Sequence, residues 1–276
     1  MSVGPGDLHT TSLSAAALAA GTEAHYVDGA QYDRSYRSRR ADQRFYVEFA
    51  AEKRARSVLE LGVGTGRVAI ALARAGHEVV GIDRMPEMLA RLEERLRREC
   101  ADVRARLALR TGDVRSVRVG RRFPLVISPF NVFMHLYERR DVERTLATCR
   151  AHLAPRGRLV FDVLLPDLRA LSRDPDRFYK GRPILDATTR RRYAYSEAFE
   201  YDAIAQTQMV TSAFRDLEDP RQTFVRPLAH RQFFPAELEA LLHYNGFDIE
   251  ARYGDFRRGP LEAWSESQVI VAKPRR

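Results

Sequence analysis

Cysteine and lysine are scarce in this 276-residue chain, and long apolar runs are missing from it. The two cysteines, Cys100 and Cys149, provide neither a disulfide framework nor a cysteine zinc cluster. No apolar run approaches the roughly 20 residues of a membrane span. No basic residue precedes the small-residue stretch Ser12 to Ala20, which argues against a secretory signal. We therefore expect a cytoplasmic protein without a membrane partner, with one large core and an insertion.

Arginine supplies almost all of the positive charge. All but three of the 46 basic residues are arginines, and the formal net charge is +9. Such a charge is typical of proteins that bind nucleic acid. A binding track, however, needs basic side chains on one face with exposed aromatic residues between them. The arginines are scattered over several segments instead, so we expect solvated surfaces and no nucleic-acid partner.

The most informative segment runs from Ser57 to Asp83. It combines a buried strand, a glycine turn, a helix and a second buried strand that ends in a carboxylate. Gly62, Gly64 and Gly66 let the backbone pass close beneath a ligand, and Asp83 suits the hydroxyls of a ribose. This is half of a nucleotide-binding α/β fold, and we expect a nucleoside in the turn.

The spacing of the turn narrows the choice of nucleoside. A dinucleotide site has G-x-G-x-x-G, whereas this chain has Glu60-x-Gly62-x-Gly64-Thr65-Gly66. The pattern resembles motif I of the class I S-adenosylmethionine-dependent methyltransferases. The resemblance implies S-adenosyl-L-methionine as cofactor and S-adenosyl-L-homocysteine as product. It also implies that Glu60 steadies the loop around the methionine part and that Asp83 holds the ribose. A structural turn and a nicotinamide-dependent Rossmann oxidoreductase remain as alternatives.

A second landmark concerns the adenine. Asp113-Val114 follows a third predicted strand from Val103 to Leu109. In the family, an acid here accepts a hydrogen bond from the adenine amino group, and the next backbone amide reaches a ring nitrogen. An Asx turn at a strand end is the competing interpretation of Asp113. Arg84 and Met85 offer an aliphatic stem and a thioether that suit one face of the adenine.

The loop after the fourth predicted strand, Leu125 to Ser128, is expected to face the transferable methyl. Ligands of doubly wound sheets lie at the carboxyl ends of the strands, which places Ser128 beside the cofactor. Three loop residues are expected to contact the substrate, namely Phe130, Asn131 and His135. Ser128-Pro129-Phe130-Asn131 also differs from the Asn-Pro-Pro-Tyr box with which amino-methylating nucleic-acid enzymes hold a flipped base.

Shorter matches narrow the resemblance between about Tyr26 and Lys273. Those that resemble glycine and sarcosine N-methyltransferases are Arg37-Ser38-Arg39, Asn131-x-Phe133-x-His135-Leu136, Leu228-x-His230-Arg231, Glu237-Leu238 and Gly254-Asp255-Phe256. The Tyr32-Asp33-x-x-Tyr36 opening is similar to amino-sugar N,N-dimethyltransferases of antibiotic pathways.

The two resemblances together suggest roles for residues before motif I. They imply that Tyr32 lies on the cofactor, where an aromatic ring suits the sulfonium. Tyr36 is expected at the substrate. Arg39 is expected to form a charge-assisted fork with the methionine carboxylate, although Arg37 and Arg40 remain alternatives. Both tyrosines are also compatible with simple packing of a cap helix.

The predicted fold class is α/β, a Rossmann-like doubly wound sheet with an antiparallel insertion. From Asp174 onward, apolar and polar residues alternate, which is typical of antiparallel strands. We predict an N-terminal helical cap over 1–50 and a cofactor-binding core over 51–173. The insertion over 174–234 is expected to cover the substrate or to form a homodimer contact. Residues 235–276 are expected to complete the core sheet.

The functional hypothesis is in-line methyl transfer to a small molecule, with no metal required. An amine nitrogen of a specialised metabolite or amino sugar is the favoured acceptor, and O- or C-methylation of a natural product stays open. An amine must arrive neutral, so His135 is the candidate proton acceptor; a structural core histidine is the alternative. In glycine-type enzymes an arginine just after the acid that ends strand five holds the substrate carboxylate. The corresponding run here is Asp162-Val163-Leu164-Leu165-Pro166, with an apolar residue at that place, and Arg169, Arg190 or Arg226 remain as alternative partners from another direction. We therefore expect poor activity on glycine.

Overall fold

The computed structural model describes residues 18, 21, 23, 25–186 and 189–275. Most of the stretch Ser12 to Ala20, and much of the predicted cap over 1–50, lies outside the described residues. The chain divides into two compact units. One comprises residues 26–166 and 233–276, and the other comprises residues 167–232 with the described residues up to His25.

Strands and helices alternate along the first part of the chain. In chain order the strands of the described residues are β1 (Ser57–Leu61), β2 (Glu78–Asp83), β3 (Leu107–Thr111), β4 (Phe123–Ser128), β5 (Leu153–Leu164), β6 (Tyr179–Lys180), β7 (Ile184–Leu185), β8 (Arg192–Asp202), β9 (Thr207–Asp216), β10 (Thr223–Arg231), β11 (Phe247–Tyr253) and β12 (Ser267–Pro274). From Gly29 onward the helices of the described residues are α1 (Gly29–Tyr36), α2 (Ala41–Glu52), α3 (Arg67–Arg74), α4 (Pro86–Leu96), α5 (Ala101–Arg106), α6 (Arg139–His152), α7 (Leu168–Leu171) and α8 (Pro235–Tyr244), with a 3-10 helix at Val132–His135.

Seven of the described strands form the sheet of the larger unit, in the order β11-β12-β5-β4-β1-β2-β3. Neighbours from β5 to β3 are parallel, whereas β12 runs antiparallel to β5 and to β11. Apolar side chains on both faces of this sheet pack into two buried clusters. Because β1 and β4 are neighbours, the turn after β1 and the loop after β4 emerge at the same edge.

The smaller unit contains a five-stranded antiparallel sheet among the described residues. Its order is β10-β9-β8-β6, and β7 also pairs with β8. The rings of Phe214 and Phe224 stack across β9 and β10 at 4.9 Å, and the Arg226 guanidinium lies over both. The expected α/β fold with an antiparallel second sheet is therefore confirmed.

One element was predicted wrongly. Residues 103 to 106 were expected to begin the third strand, but they belong to α5, and β3 begins at Leu107. Asp102 lies in the first turn of α5, and Arg104 and Arg106 lie in its last turn, where these charges favour a helix. Alternation over so few residues does not distinguish a strand from one face of a short helix.

Within the part of the chain that the structure describes, every helix is too short or too polar to cross a bilayer.

Candidate active site

The glycine turn between β1 and α3 lies at the carboxyl end of the core sheet. Gly62 and Gly66 have φ values of +75° and +77°, which residues other than glycine rarely adopt. A Cβ at Gly62 would lie 2.4 Å from Val132 Cγ2, and one at Gly66 would lie 2.2 Å from Leu92 Cδ1. The turn therefore requires glycine at both positions, for conformation and because Val132 and Leu92 pack against the backbone there.

Asp83 ends β2 beside this turn. Its Oδ2 accepts a hydrogen bond from the Gly64 amide at 2.7 Å, and its Oδ1 accepts one from the Met85 amide at 2.9 Å. Burial raises the pKa of Asp83, and the backbone donors of Met85 and Gly64 oppose that rise. Each oxygen retains lone pairs for another donor. The carboxylate is thus held in a fixed orientation that suits two vicinal hydroxyls.

Glu60 lies on β1 directly before the turn and is only 2 % exposed. Its Oε2 has no hydrogen-bond partner among the described residues. Burial raises the pKa of Glu60 well above its ordinary value, Arg67 opposes this rise, and Asp83 adds to it. A buried acceptor without a partner is costly. The Glu60 carboxyl therefore fits the ammonium group of the methionine part of S-adenosylmethionine, because that group would supply the missing hydrogen-bond donor.

Arg67 is a basic residue that the sequence reasoning missed. Its guanidinium pairs with Asp42 at 3.0 Å, donates to the carbonyl of Arg39 at 2.7 Å and lies 4.5 Å from the centre of the Phe130 ring. Its position directly after Gly66 could have identified it from the sequence as a residue of the site. The side chain of Arg39 is exposed, as are those of Arg37 and Arg40. Which of these three binds the cofactor carboxylate stays a prediction.

Four rings form an aromatic cluster in the larger unit. Tyr32 lies 4.7 Å from Tyr36 and 5.7 Å from Tyr26, and Phe130 lies 4.9 Å from Tyr36. Burial raises the pKa of each of the three phenols, so these hydroxyls are neutral at physiological pH. The predicted residues Tyr32, Tyr36 and Phe130 are therefore brought together, whereas Tyr26 was missed. Their electron-rich faces suit a cation.

His135 ends the 3-10 helix of the loop after β4 and is half-buried. Its Nε2 lies 2.7 Å from the hydroxyl of Tyr26, and its Nδ1 lies 3.5 Å from the hydroxyl of Tyr137. The Tyr26 ring meets the imidazole edge-on, with centroids 5.3 Å apart. The imidazole thus has two hydroxyl neighbours, which can orient it. Its catalytic role stays a prediction.

The turn at Phe130 and Asn131 is held by Asp162, another residue that the site prediction omitted. The Phe130 amide donates to both carboxylate oxygens of Asp162, at 2.9 and 3.1 Å, and the Asn131 amide donates at 3.3 Å. The hydroxyl of Tyr46 also donates to Asp162, at 2.6 Å. Asn131 itself has a buried Oδ1 without a hydrogen-bond partner among the described residues.

The residues expected at the adenine directly follow β2 or lie in the loop after β3. Asp113 accepts from the Arg115 amide at 2.8 Å, an Asx turn, and pairs with the Arg115 guanidinium at 2.6 Å. Arg115 thereby lowers the pKa of Asp113. The turn interpretation of Asp113 describes its contacts, and adenine binding by Asp113 and Val114 stays a prediction. Arg84 is exposed and Met85 half-buried. Ser128 is buried and donates to the Leu61 carbonyl at 3.2 Å.

Comparison with known proteins agrees with this geometry. A family model described as a methyltransferase domain matches residues 58–157. A glycine/sarcosine N-methyltransferase of Halorhodospira halochloris is 31% identical over 236 residues, which cover 83% of this chain and 79% of that protein. The corresponding enzyme of Parasynechococcus marenigrum (strain WH8102) is 30% identical over 58% of this chain, and the match spans 61% of its own length.

Solved structures show the same fold. The CcbJ methyltransferase from Streptomyces caelestis superposes with a TM-score of 0.78 at 26% identity, covering 93% of this chain and 99% of that one. The glycopeptide N-methyltransferase MtfA in complex with S-adenosylmethionine superposes with a TM-score of 0.59 at 24% identity, covering 82% of this chain and 84% of that one.

The glycine turn, the fixed Asp83 and the buried Glu60 are the residues predicted to bind S-adenosylmethionine, and their individual roles stay predictions. The chain belongs to the class I S-adenosylmethionine-dependent methyltransferases. The predicted cofactor and the predicted methyltransferase activity on small molecules are thereby confirmed, in place of the nicotinamide alternative. When bound, the cofactor supplies an electrophilic methyl group on a sulfonium.

Proposed function

We propose that this methyltransferase acts on an amine nitrogen of a small, partly apolar metabolite such as an amino sugar. The observation that carries the proposal is the hydrogen bond between Tyr26 and His135 beside an aromatic cluster. An amine that approaches a sulfonium must lose its proton first, because an alkylammonium has a pKa of about 10. An oriented imidazole can take that proton near neutral pH.

Positioning is expected to supply most of the remaining acceleration. The nucleophile, the methyl carbon and the sulfur must be collinear, and water must be excluded. Tyr32, Tyr36 and Phe130 present apolar surface that can enclose an acceptor. Asn131 offers its buried Oδ1 as an acceptor for an N–H or O–H group of the substrate. A substrate with both apolar surface and hydrogen-bond donors suits this set of groups.

The names of relatives support nitrogen as the methylated atom. The relatives from Halorhodospira halochloris and Parasynechococcus marenigrum are glycine/sarcosine N-methyltransferases, and MtfA is a glycopeptide N-methyltransferase. Each name describes the activity of the relative that carries it, and the acceptors named range from a single amino acid to a glycopeptide. The nitrogen nucleophile is their common element, and we extend it to this chain.

The test is incubation of the purified protein with cofactor carrying a labelled methyl group. Acceptors are offered as separate panels of amino sugars, aliphatic amines, phenols, neutral sugars and oligonucleotides, with mass spectrometry of the products. We expect label on nitrogen in the amino-sugar or amine panel. Label on a phenolic or sugar oxygen, or on an oligonucleotide, would overturn the proposal. The His135→Gln variant serves as the matched control, because glutamine keeps polarity but cannot take up the proton.

Three further proposals concern where the protein is located, whether it acts on nucleic acid, and whether it forms a dimer. We propose that the protein is cytoplasmic, does not act on nucleic acid, and forms a homodimer through the predicted insertion over 174–234. The edge strand β10 supports the dimer, because it exposes Phe224 by 38% and Val225 by 57%. Exposed edge strands favour pairing with another chain. Sedimentation of the wild type and of Val225→Glu tests this: a monomeric wild type would contradict it.

A further inference from the structure

We propose that Asp162 is a positioning residue that holds the Phe130–Asn131 turn in the conformation that methyl transfer needs. The inference rests on the proposed function, because it assumes that this turn faces the acceptor. Asp162 acts through other groups, since its own oxygens are engaged by Tyr46 and by the backbone of the turn.

The turn is strained. Phe130 and Asn131 are consecutive residues with φ values of +62° and +65°, and neither is a glycine. The left-handed region is unfavourable for residues with a Cβ, most of all for a bulky one such as phenylalanine. Such conformations persist only where the surroundings enforce them, and they cluster at functional sites.

Asp162 supplies the enforcing contact. It lies on β5, which pairs with β4, the strand that leads into the turn, and it is 2 % exposed. The amides of two successive left-handed residues converge on its carboxylate, at 2.9 and 3.3 Å. Successive amides of this kind form an anion-binding concavity, and hydrogen bonds to an ionised acceptor are stronger than neutral ones. A charge on Asp162 therefore favours the strained turn.

The Phe130–Asn131 turn also fixes the position of two groups of the candidate site, the Phe130 ring and the Asn131 amide oxygen. The Phe130 ring lies 4.9 Å from the Tyr36 ring and 4.5 Å from the Arg67 guanidinium. The Asn131 Oδ1 is buried without a hydrogen-bond partner among the described residues. If the turn relaxed, both the ring and the amide oxygen would move. Loss of the Asp162 charge should therefore affect turnover more than it affects cofactor binding.

The surroundings of Asp162 set the pH range of this effect. Burial raises the pKa of Asp162 from 3.8 to about 6; Tyr46, Phe130 and Asn131 oppose the rise through hydrogen bonds, and Asp42 adds to it. Asp42 is itself paired with Arg67, and Glu60 is the other carboxyl that acts on Tyr46. Above pH 6 the carboxylate is ionised and accepts all three donors.

Activity and stability should respond to this titration in opposite directions. A carboxyl whose pKa is higher in the folded state binds more protons when folded, so its contribution to stability is lost as the pH rises through about 6. Turnover, by contrast, should rise over the same range because the ionised form holds the turn. A purely structural role would move both quantities together.

The experiment compares Asp162→Asn and Tyr46→Phe with the wild type. Tyr253→Phe is the matched control. Tyr253 packs against the buried apolar cluster that contains Tyr46, so this variant also removes a tyrosine hydroxyl beside that cluster. We measure kcat against pH with an acceptor from the panels, cofactor affinity by calorimetry, and the Asp162 carboxyl titration by carbon-13 NMR. For Asp162→Asn we expect kcat to fall at least about tenfold, cofactor affinity to change less than about threefold, and the part of the rise in kcat that follows the Asp162 midpoint near pH 6 to disappear.

Tyr46→Phe gives the sharper result. It removes one hydrogen bond that lowers the pKa of Asp162, so both the NMR midpoint and the activity midpoint should move to higher pH, with the plateau retained at high pH. Tyr253→Phe should leave both midpoints in place. A wild-type carboxyl midpoint near 4, or normal turnover per folded molecule in Asp162→Asn, would overturn the inference. If Asp162→Asn fails to fold, Tyr46→Phe decides alone. Methylation of oxygen instead of nitrogen would refute the proposed function without changing these comparisons.

Discussion

Asp83 is held by backbone amides, so its substitution should affect the cofactor more than the fold. Removing the carboxylate leaves the Gly64 and Met85 amides without their acceptor but opens no apolar cavity. Hydrogen bonds to a charged group contribute about 1.5–3 kcal/mol, so Asp83→Ala should weaken S-adenosylmethionine binding by roughly tenfold to a hundredfold. Calorimetry measures the affinity for S-adenosylmethionine, and thermal unfolding measures the stability of the fold. Unchanged affinity in a folded variant would contradict the ribose role.

His135 is the residue on which the chemistry of the proposed function depends. Because it is half-buried and contacts tyrosine hydroxyls, His135→Ala should leave the fold nearly intact. Loss of a general base costs about a hundredfold or more in rate, and kcat at saturating cofactor measures it. Tyr26→Phe is the matched variant, expected to lower kcat less because the base remains. A large loss of stability with normal turnover per folded molecule would favour a structural histidine.

The residues that sequence reasoning found differ in one respect from those that it missed. Glu60, the glycines and Asp83 lie within one local pattern of strand, turn and strand. The missed residues depend on distant partners instead: Tyr46 lies 116 positions from Asp162, and Tyr26 lies 109 positions from His135, which was itself predicted from the resemblance. No local spacing brings such pairs together, because strand order in the sheet determines which distant residues meet. Arg67 is the exception, since it adjoins the motif and was overlooked.

Helix α1 provides a prediction at the scale of an element. It carries Tyr32 and Tyr36, and Asp33 connects it to the glycine turn by accepting from Thr65 Oγ1 at 2.6 Å. Asp33 also accepts from Arg91 Nε at 2.8 Å and from Arg95 Nη1 at 3.0 Å. This one carboxylate thus joins three elements that surround the cofactor site, and its charge balances two guanidinium groups.

We expect Asp33→Asn to weaken cofactor binding by about fivefold or more, since two charge-assisted hydrogen bonds become weaker. The control is Asp28→Asn, which alters the N-cap of the same helix; asparagine caps a helix about as well as aspartate. Calorimetry and thermal unfolding of both variants separate docking of the helix from its stability. Equal affinities in both variants would show that the position of α1 does not depend on Asp33.

Element boundaries show where sequence patterns are sufficient. The glycine turn, α3 and the strands on either side were predictable because apolar runs and glycines mark their ends. Residues 103 to 106 were not, because a six-residue helix and a strand both place apolar residues at similar intervals there. The antiparallel strands β8 and β9 were visible as alternation of apolar and polar residues, although most of their side chains are half-buried at consecutive positions.

At the scale of the whole molecule, sequence similarity and local chemistry point to different acceptors. The relative from Halorhodospira halochloris, 31% identical over 83% of this chain, is a glycine/sarcosine N-methyltransferase. A substrate as small as glycine depends on a cationic partner for its carboxylate. The resemblance implies such an arginine just after the acid that ends the fifth strand, which here is Asp162. Apolar residues follow Asp162 to the end of β5 at Leu164, and Asp162 itself is engaged by Tyr46 and the Phe130–Asn131 turn.

We therefore expect the enzyme to use glycine and sarcosine poorly. A carboxylate that loses water without gaining a cationic partner is penalised by several kcal/mol, which corresponds to at least about a hundredfold in kcat/KM. Steady-state kinetics with glycine, with sarcosine and with the best acceptor from the amine panels measures the difference. Leu164→Arg is the matched variant, because Leu164 is half-buried at a strand end where a guanidinium can remain solvated. It should raise kcat/KM for glycine while leaving cofactor affinity unchanged. Efficient glycine turnover by the wild type would mean that the carboxylate is bound by another arginine.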